Sequence, residues 1–280
     1  MLPILSLLLL VPTAGPLYGG PPEDQKSVKV CASETLGARA VTAAEKIDAC
    51  TKLIDAKGAA SRRMALFHIY RANGYVAIKD TARSIADLEQ AVKADPTYSY
   101  AWAKLCSSTN WFLKDRPKAL GQCNAALKLN PKDPGALTHR GDVYLAMRQY
   151  ALAEEDYNAS IAGRRDWMWP WSNRGIARRR SGQSQAAIRD FDHVIRLSPD
   201  FAEGYVQRGV TRLKLNDVVG ALVDFEKGLK VDPDCATCLY FRGLARKKNG
   251  DAAAGAEDIA AALAKDAFAI SEYDDDGLKP

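Results

Sequence analysis

Two consecutive stretches decide the fold: MWPWSNRGIARRRSGQSQAAIRDFDHVIRLSPDF (residues 168–201) and AEGYVQRGVTRLKLNDVVGALVDFEKGLKVDPDC (residues 202–235). Each has 34 residues, with an Arg-Gly pair at positions 7 and 8, alanine at position 20 and phenylalanine at position 24. A polar residue followed by proline lies near the end of each stretch. The same pair recurs along the chain, with prolines spaced by 35, 68 and 34 residues. Because 68 is twice 34, the spacing predicts a chain built from repeated units of about 34 residues.

The repeat extends over six units in phase. When the recurrent proline is set at position 32, the units begin at Ala65, Tyr100, Pro134, Met168, Ala202 and Ala236. Position 8 is small in every unit: Ala72, Ser107, Gly141, Gly175, Gly209 and Gly243. Position 20 is small as well: Ser84, Ala119, Ala153, Ala187, Ala221 and Gly255. Small residues at these positions allow two helices to approach closely, and the mostly larger residue at position 24 fills the space beside them.

This pattern resembles the tetratricopeptide repeat, a helix-turn-helix unit, over residues 65–268. The resemblance implies an all-α fold, a right-handed superhelix (an α-solenoid) of about six stacked units with a concave groove that binds segments of partner proteins. The arginine-glycine form is similar to that of secreted alphaproteobacterial proteins. Two units depart from the family pattern, since Ser107 stands where glycine is usual and Arg164-Arg165 replaces the terminal proline of the third unit.

Residues outside the six units are expected to cap the stack. Apolar residues at helical spacing, among them Ile47 and Leu53, predict a helix over residues 41–57 that covers the amino-terminal end. Together with a flexible linker, this helix makes up residues 21–64. Residues 269–280 are expected to form a carboxyl-terminal cap and an acidic tail.

The amino terminus predicts export. Residues 2–11 form a nearly unbroken apolar run, shorter than the roughly 20 residues that span a bilayer. We interpret residues 1–20 as a cleaved signal peptide, which predicts a periplasmic or secreted bacterial protein without a transmembrane segment after cleavage. A buried apolar segment is the alternative. The net charge of +5 on 280 residues is mild and does not indicate a nucleic-acid partner.

Arginines and aspartates recur together in five of the six units. Position 7 and position 23 are occupied by Arg71 and Asp87, Arg140 and Asp156, Arg174 and Asp190, Arg208 and Asp224, and Arg242 and Asp258. The second unit has Cys106 and Gln122 instead, so both members are present or lost together. We therefore predict that each arginine pairs with the aspartate of its own unit through a two-pronged bond. The alternative is a row of arginines that binds phosphate.

The six cysteines can be grouped into three pairs of successive cysteines along the chain: Cys31 with Cys50, Cys106 with Cys123, and Cys235 with Cys238. An even set fits an oxidising compartment, although six cysteines allow fifteen pairings. A Cys106–Cys123 disulfide would join two helices in the unit that lacks the arginine–aspartate pair.

The residues expected on the concave face are the candidates for partner binding. Aromatic and basic side chains are expected there, namely Lys104, Trp111, Phe112, Trp169, Arg179, Arg180, Lys214, Tyr240, Lys247 and Lys248. Such a surface suits a peptide with apolar anchors and acidic residues. Trp171 is expected in the core, whereas Trp167 and Trp169 are expected to be available to a partner.

No catalytic motif such as H-E-x-x-H or G-x-S-x-G is present. We therefore predict a non-catalytic scaffold for a protein or peptide partner, with no cofactor and no metal. Two alternatives stay open. One is a redox or metal site at Cys235 and Cys238, and the other is binding of anionic surfaces by the basic residues of the groove.

Overall fold

A computed structural model describes residues 22–33, 35–36, 39–56 and 61–271. These residues form α1 Pro22–Ala32, α2 Ala43–Asp55, α3 Ser61–Ala77, α4 Thr81–Ala94, α5 Ser99–Ser108, a π-helix Thr109–Leu113, α6 Arg116–Leu129, α7 Pro134–Ala146, α8 Tyr150–Gly163, α9 Met168–Arg180, α10 Ser184–Leu197, α11 Ala202–Lys214, α12 Val218–Val231, α13 Ala236–Lys248 and α14 Ala252–Ser271. Two antiparallel strands of two residues each, β1 Thr35–Leu36 and β2 Arg39–Ala40, lie between α1 and α2. The predicted all-α fold class is confirmed.

The amino-terminal region contains one helix that the sequence did not predict. Residues 22–32, expected in the linker, form α1, whose Val28 and Cys31 pack against Ala49, Cys50 and Leu53 of α2. The predicted helix over residues 41–57 is α2, which begins after Thr42 with a reciprocal capping box to Glu45. The predicted signal peptide and the acidic tail lie outside the described residues.

The chain divides into two compact units at Met147 and Arg148. In the amino-terminal unit, α3 with α4 and α5 with α6 form helical hairpins, and α7 packs on α6. In the carboxyl-terminal unit, α9 with α10, α11 with α12 and α13 with α14 form hairpins, and α8 packs on α9. Within each unit, the first helix of a hairpin also packs on the second helix of the preceding one, as α11 does on α10.

The small residue at position 8 sets the distance between the two helices of a hairpin. A Cβ atom added to Gly175 would lie 2.7 Å from the ring of Phe191, and one added to Gly209 would lie 2.6 Å from the ring of Phe225. Both rings are fully buried. Glycine is therefore required where position 24 is phenylalanine, because a methyl group and the ring cannot share the space.

The turn inside each hairpin has a constant backbone conformation. Positive φ angles occur at position 15 of every unit, namely at Lys79, Lys114, Arg148, Gly182, Asn216 and Gly250. Each of these residues follows the first helix and precedes the cap of the second, as Asn216 precedes Asp217, whose side chain accepts from the N–H of Gly220.

The backbone conformation at the end of the second helix is equally constant. Asp266 inside α14 (φ −159°, ψ 89°) adopts nearly the same angles as Ser198 after α10 (φ −144°, ψ 81°), so the break in α14 marks the end of the sixth unit.

The second hairpin contains one additional residue. Helix α5 begins at Ser99, one residue before the predicted start at Tyr100, yet the residue with positive φ is still Lys114. The first helical residue and the positive-φ residue are thus 15 positions apart, against 14 between Met168 and Gly182. The π-helix Thr109–Leu113 takes up the difference, because a π turn closes its hydrogen bond over one residue more than an α turn.

Candidate functional site

The arginine–aspartate pairs form a ladder that runs through the hairpins. In the fourth unit, Arg174 donates from Nε and Nη2 to the two carboxylate oxygens of Asp190 at 3.1 and 2.6 Å. Arg71 with Asp87, Arg208 with Asp224 and Arg242 with Asp258 have the same two-pronged geometry. All four aspartates are buried. Arg140 and Asp156 belong to different compact units, and their pairing stays a prediction.

In four of the five arginines of position 7, the remaining amine reaches the preceding repeat unit or the capping helix. Nη1 of Arg174 donates to Oδ1 of Asn158 at 2.5 Å, and Nη1 of Arg208 donates to Oδ1 of Asp192 at 2.6 Å. Arg140 binds Asn124 in the same way, and Arg71 binds Thr51 of the capping helix α2. Asn124, Asn158 and Asp192 each lie 16 residues before the arginine that they bind, whereas Thr51 lies 20 residues before Arg71. The sequence analysis missed this contact, for which a polar residue at position 25 was the available signal.

A second arginine binds the same carboxylate in the carboxyl-terminal unit. At position 11, Arg178, Arg212 and Arg246 donate from Nη1 to Asp190, Asp224 and Asp258 at 2.9, 2.7 and 2.9 Å. Arg178 is also held by Glu154 at 2.7 Å. Position 11 is Tyr75 in the first unit, where His68 instead contacts Asp87 through Nδ1 at 2.9 Å.

Opposite charges inside the ladder favour the ionised forms of Asp87 and Arg208. Burial raises the pKa of Asp87, but the hydrogen bonds from Arg71 and His68 outweigh it and hold that pKa below the ordinary value. Burial lowers the pKa of Arg208, but hydrogen bonds to Asp224 and Asp192 outweigh it and raise that pKa. The guanidiniums therefore bind internal acceptors, which favours a structural role over phosphate binding.

The second repeat unit has a cysteine pair at bonding distance where the other units have the arginine–aspartate pair. The sulfur atoms of Cys106 and Cys123 lie 1.99 Å apart, which joins α5 to α6. Since α5 begins at Ser99, Cys106 is its eighth residue and occupies the place of Gly175 in α9, not that of Arg174. The arginine position holds buried Leu105, and Oε1 of buried Gln122 has no hydrogen-bond partner among the described residues. This register differs from the sequence prediction, because the additional residue of the second hairpin lies after Cys106, in the π-helix.

The other cysteines also lie in pairs at bonding distance. The sulfurs of Cys31 and Cys50 are 2.10 Å apart, and those of Cys235 and Cys238 are 2.09 Å apart. The first pair joins α1 to α2, whereas both members of the second lie at the start of α13. Within the described part of the chain, no group of His, Cys, Asp and Glu side chains suited to a metal ion is found.

The predicted groove residues differ in exposure. Trp111 on the π-helix is 56% exposed, and Lys214, Lys247 and Lys248 are exposed. Lys104, Phe112, Trp169 and Arg180 are half-buried. Arg179 is only 2% exposed and donates to the carbonyl of Gln207 at 3.3 Å, while Tyr240 packs in the core against Phe241. Arg179 and Tyr240 are thus buried, unlike the other predicted groove residues, and the role of the whole set in partner binding stays a prediction.

Lys104 lies in an aromatic environment. Its Nζ is 5.5 Å from the centre of the Tyr100 ring, and burial lowers the pKa of this ammonium group. Tyr100 and Phe112 pack against one apolar cluster that includes Leu105. No carboxylate or other hydrogen-bond partner of Lys104 is present among the described residues.

The tryptophans at the start of α9 are integrated into the hairpin. Trp171, expected in the core, is half-buried, and its ring stacks on that of His193 with 3.9 Å between the ring centres. The guanidinium carbon of Arg174 also lies 4.7 Å from the centre of the Trp171 ring. Trp169 meets Phe201 edge to face at 5.6 Å, and Trp167 lies under the guanidinium of Arg164. Trp167 and Trp169 are both half-buried.

Comparison with known proteins agrees with this geometry. The sequence profile of the tetratricopeptide repeat family matches residues 111–166. The chain superposes on a tetratricopeptide repeat protein from Parabacteroides merdae with a TM-score of 0.67 and 17% identity, over 89% of this chain and 94% of that one. The described residues have the fold of tetratricopeptide repeat proteins, and residues 111–166 match the sequence profile of that family.

Other similarities are more distant or more local. YrrB, described as a tetratricopeptide repeat protein with an unusual peptide-binding site, matches with a TM-score of 0.50 and 15% identity, over 67% of this chain and 96% of that one. Human RNA polymerase II-associated protein 3 is 31% identical over 71 residues, which are 25% of this chain. This repeat protein spans about a tenth of the length of that relative, since the match covers 11% of it. No helix in the described ranges is both long enough and apolar enough to cross a membrane.

Proposed function

We propose that this tetratricopeptide repeat protein is an exported, non-catalytic scaffold that binds a peptide or a partner protein through the first helices of its hairpins. One observation carries the proposal: Trp111 is 56% exposed on a π-helix whose Thr109 and Asn110 are buried. Large aromatic side chains on a rigid surface are the residues that dominate protein interfaces. YrrB, which has the same kind of fold, is described as having a peptide-binding site.

The surroundings of Trp111 support a partner with apolar and acidic groups. Phe112 is half-buried beside the same apolar cluster as Tyr100, and the ammonium group of Lys104 lies over the Tyr100 ring. An ammonium group without an internal carboxylate partner can pair with a carboxylate of a ligand, and burial strengthens such a bond. In the carboxyl-terminal unit, exposed Lys247 and Lys248 extend the same preference.

Export is supported by the cysteines. All six lie in pairs at bonding distance, and none is free. Three disulfides are stable in an oxidising compartment and are rare in the cytosol. We therefore infer that residues 1–20 are a signal peptide of a bacterial protein of the periplasm or the extracellular space, similar to the secreted arginine-glycine type of repeat protein.

Peptide-library selection against the purified protein tests the binding role. Peptides enriched on the wild type are expected to lose about 30-fold or more in affinity on Trp111→Ala, the loss typical of a central interface tryptophan. Leu129→Ala, which removes an exposed apolar side chain of the same compact unit at the end of α6, is the matched control. The control is expected to change affinity by less than about twofold. Equal binding by the wild type and Trp111→Ala would contradict the proposed surface.

A reporter fusion tests export. A fusion of the full chain to a reporter that is active only outside the cytoplasm is expected to be active, and deletion of residues 2–11 is expected to abolish that activity. A reporter that works equally well without those residues would contradict the signal peptide.

A further inference from the structure

The three cysteine pairs differ in their exposure to solvent. Five of the six cysteines have a relative exposure of 0%, and Cys235 alone is 8% exposed. Cys235 is therefore the cysteine with some exposure to solvent in the folded protein, whereas the Cys31–Cys50 and Cys106–Cys123 pairs are fully buried and become accessible only when helices separate.

The pairs also differ in what they connect. Cys31–Cys50 joins α1 to α2 and Cys106–Cys123 joins α5 to α6, so that their disulfides hold helices together. Cys235 and Cys238 lie within one turn of α13, with their Cα atoms 5.3 Å apart. Opening this bond separates no pair of helices, and the helix keeps the two sulfurs close enough to reclose.

The surroundings of Cys235 stabilise a thiolate. Cys235 is the N-cap of α13, its Sγ accepts a hydrogen bond from the N–H of Cys238 at 3.1 Å, and the hydroxyl of Thr237 lies 3.4 Å away. A helix amino terminus favours negative charge through its free N–H groups. The carboxylate of neighbouring Asp234 is paired with Lys265, which offsets its repulsion.

The surroundings of Cys238 are different. Its Sγ lies against the backbone of α12, since a Cβ atom added to Gly228 would be 2.7 Å from it. Cys238 is therefore shielded from attack by a thiol, and it remains in place to attack a mixed disulfide formed at Cys235.

We propose that Cys235–Cys238 is an exchange-active disulfide whose reaction partners are thiols, and that Cys235 is the sulfur they attack. The incoming thiolate forms a bond to Sγ of Cys235 while the Cys235–Cys238 bond breaks. The electron pair leaves on Sγ of Cys238, which takes a proton from solvent. A second thiol then attacks the sulfur of the first, Cys235 leaves as the hydrogen-bonded thiolate, and the two thiols are released as one disulfide. The protein gains two electrons and becomes a dithiol. This activity is additional to partner binding and does not depend on it.

Differential reduction tests the proposal on the unmodified protein. The oxidised chain is treated with glutathione and then alkylated, and the six cysteines are quantified by peptide mass spectrometry while circular dichroism follows the helices. Cys235–Cys238 is expected to open at least about tenfold faster than either other pair, with helical signal unchanged. Opening of all three pairs at one rate, together with loss of helical signal, would overturn the proposal.

Two matched variants test which sulfur reacts. Cys238→Ser leaves Cys235 as a thiol, and Cys235→Ser leaves Cys238 as a thiol, each with the other two disulfides intact. A chromogenic aromatic disulfide is expected to react with Cys235 at least about tenfold faster than with Cys238 in the folded proteins. Equal rates, or faster reaction of Cys238, would overturn the assignment of Cys235 as the attacked sulfur. If a variant does not fold, the wild-type reduction experiment decides.

Discussion

Arg208 and Asp224 face each other across the two helices of the fifth hairpin through parallel hydrogen bonds of 3.0 and 2.6 Å. The third arm of the same guanidinium reaches Asp192 of the preceding hairpin at 2.6 Å. One side chain thus links both helices of its own repeat to the neighbouring repeat. The stability of a repeat protein depends on such nearest-neighbour contacts as well as on each repeat itself.

Removal of this arginine is expected to destabilise the carboxyl-terminal unit. Arg208→Met leaves the fully buried carboxylate of Asp224 with Arg212 as its remaining cation, which should lower the free energy of unfolding by about 3 kcal/mol. Arg189→Ala, at an exposed arginine of α10, is the control and should change it by less than about 0.5 kcal/mol. Urea unfolding followed by circular dichroism measures both. Equal midpoints for the two variants would show that the ladder does not stabilise the fold.

The first unit is expected to lose stability in acid through Asp87. Its pKa is lowered in the folded state by Arg71 and His68, so the unfolded chain binds the proton more tightly. This contribution is present above the unfolded pKa of about 3.9 and is lost as pH falls through the lower folded value. The difference in urea midpoint between the wild type and Asp87→Asn should therefore shrink from pH 7 towards pH 2. Asp200→Asn, at an exposed carboxylate, should show no comparable difference at any pH. A constant gap between wild type and Asp87→Asn would contradict the electrostatic origin.

The glycine at position 8 can be tested by paired substitutions. Gly175→Ala places a methyl group 2.7 Å from the Phe191 ring and should destabilise by about 1–3 kcal/mol. Adding Phe191→Leu should recover part of this loss, since Ala72 and Leu88 occupy the same positions in the first unit. Gly121→Ala in α6 meets no atom within 4 Å and should stabilise by about 0.5–1 kcal/mol, as alanine does in a helix interior. Thermal midpoints of the wild type, of these three variants and of Phe191→Leu alone decide. Additive effects of the two substitutions in the fourth unit would show that the methyl group and the ring do not compete for space.

Lys104 is expected to favour binding at the expense of stability. Lys104→Met removes a charge that burial disfavours and should raise the free energy of unfolding at neutral pH. Because the folded pKa is lowered, the unfolded state binds more protons, so the wild type should gain stability as pH rises towards about 10.4 and approach the variant. The same substitution should weaken binding of acidic peptides selected on the wild type, as fluorescence titration would show. Unchanged peptide affinity would remove Lys104 from the proposed binding surface.

The sequence predicted the hairpins well because their determinants are local and repeated. Small residues at positions 8 and 20 and large ones at position 24 define where two adjacent helices touch, and Gly175 with Phe191 shows that contact directly. Because arginine and aspartate are absent together from the second repeat unit, the sequence predicted that they pair in the other units, and the structure shows this pairing at Arg174 and Asp190. The register of α5 could not be predicted from the proline spacing. An additional residue can be absorbed anywhere between two prolines, and packing placed it in the π-helix after Cys106.

Sequence alone was sufficient for the length of the repeat, the helical hairpin and pairs such as Arg174 with Asp190, because these contacts join residues at fixed short separations. The side chains that face a neighbouring repeat became known from the packing of the helices. The stacking of one hairpin on the next gave Arg208 its second acceptor and buried Arg179 and Tyr240, and it left Trp111 exposed. The physical reason is that helical periodicity assigns a residue to a face of its own helix, whereas burial depends on how closely the adjacent helix approaches that face.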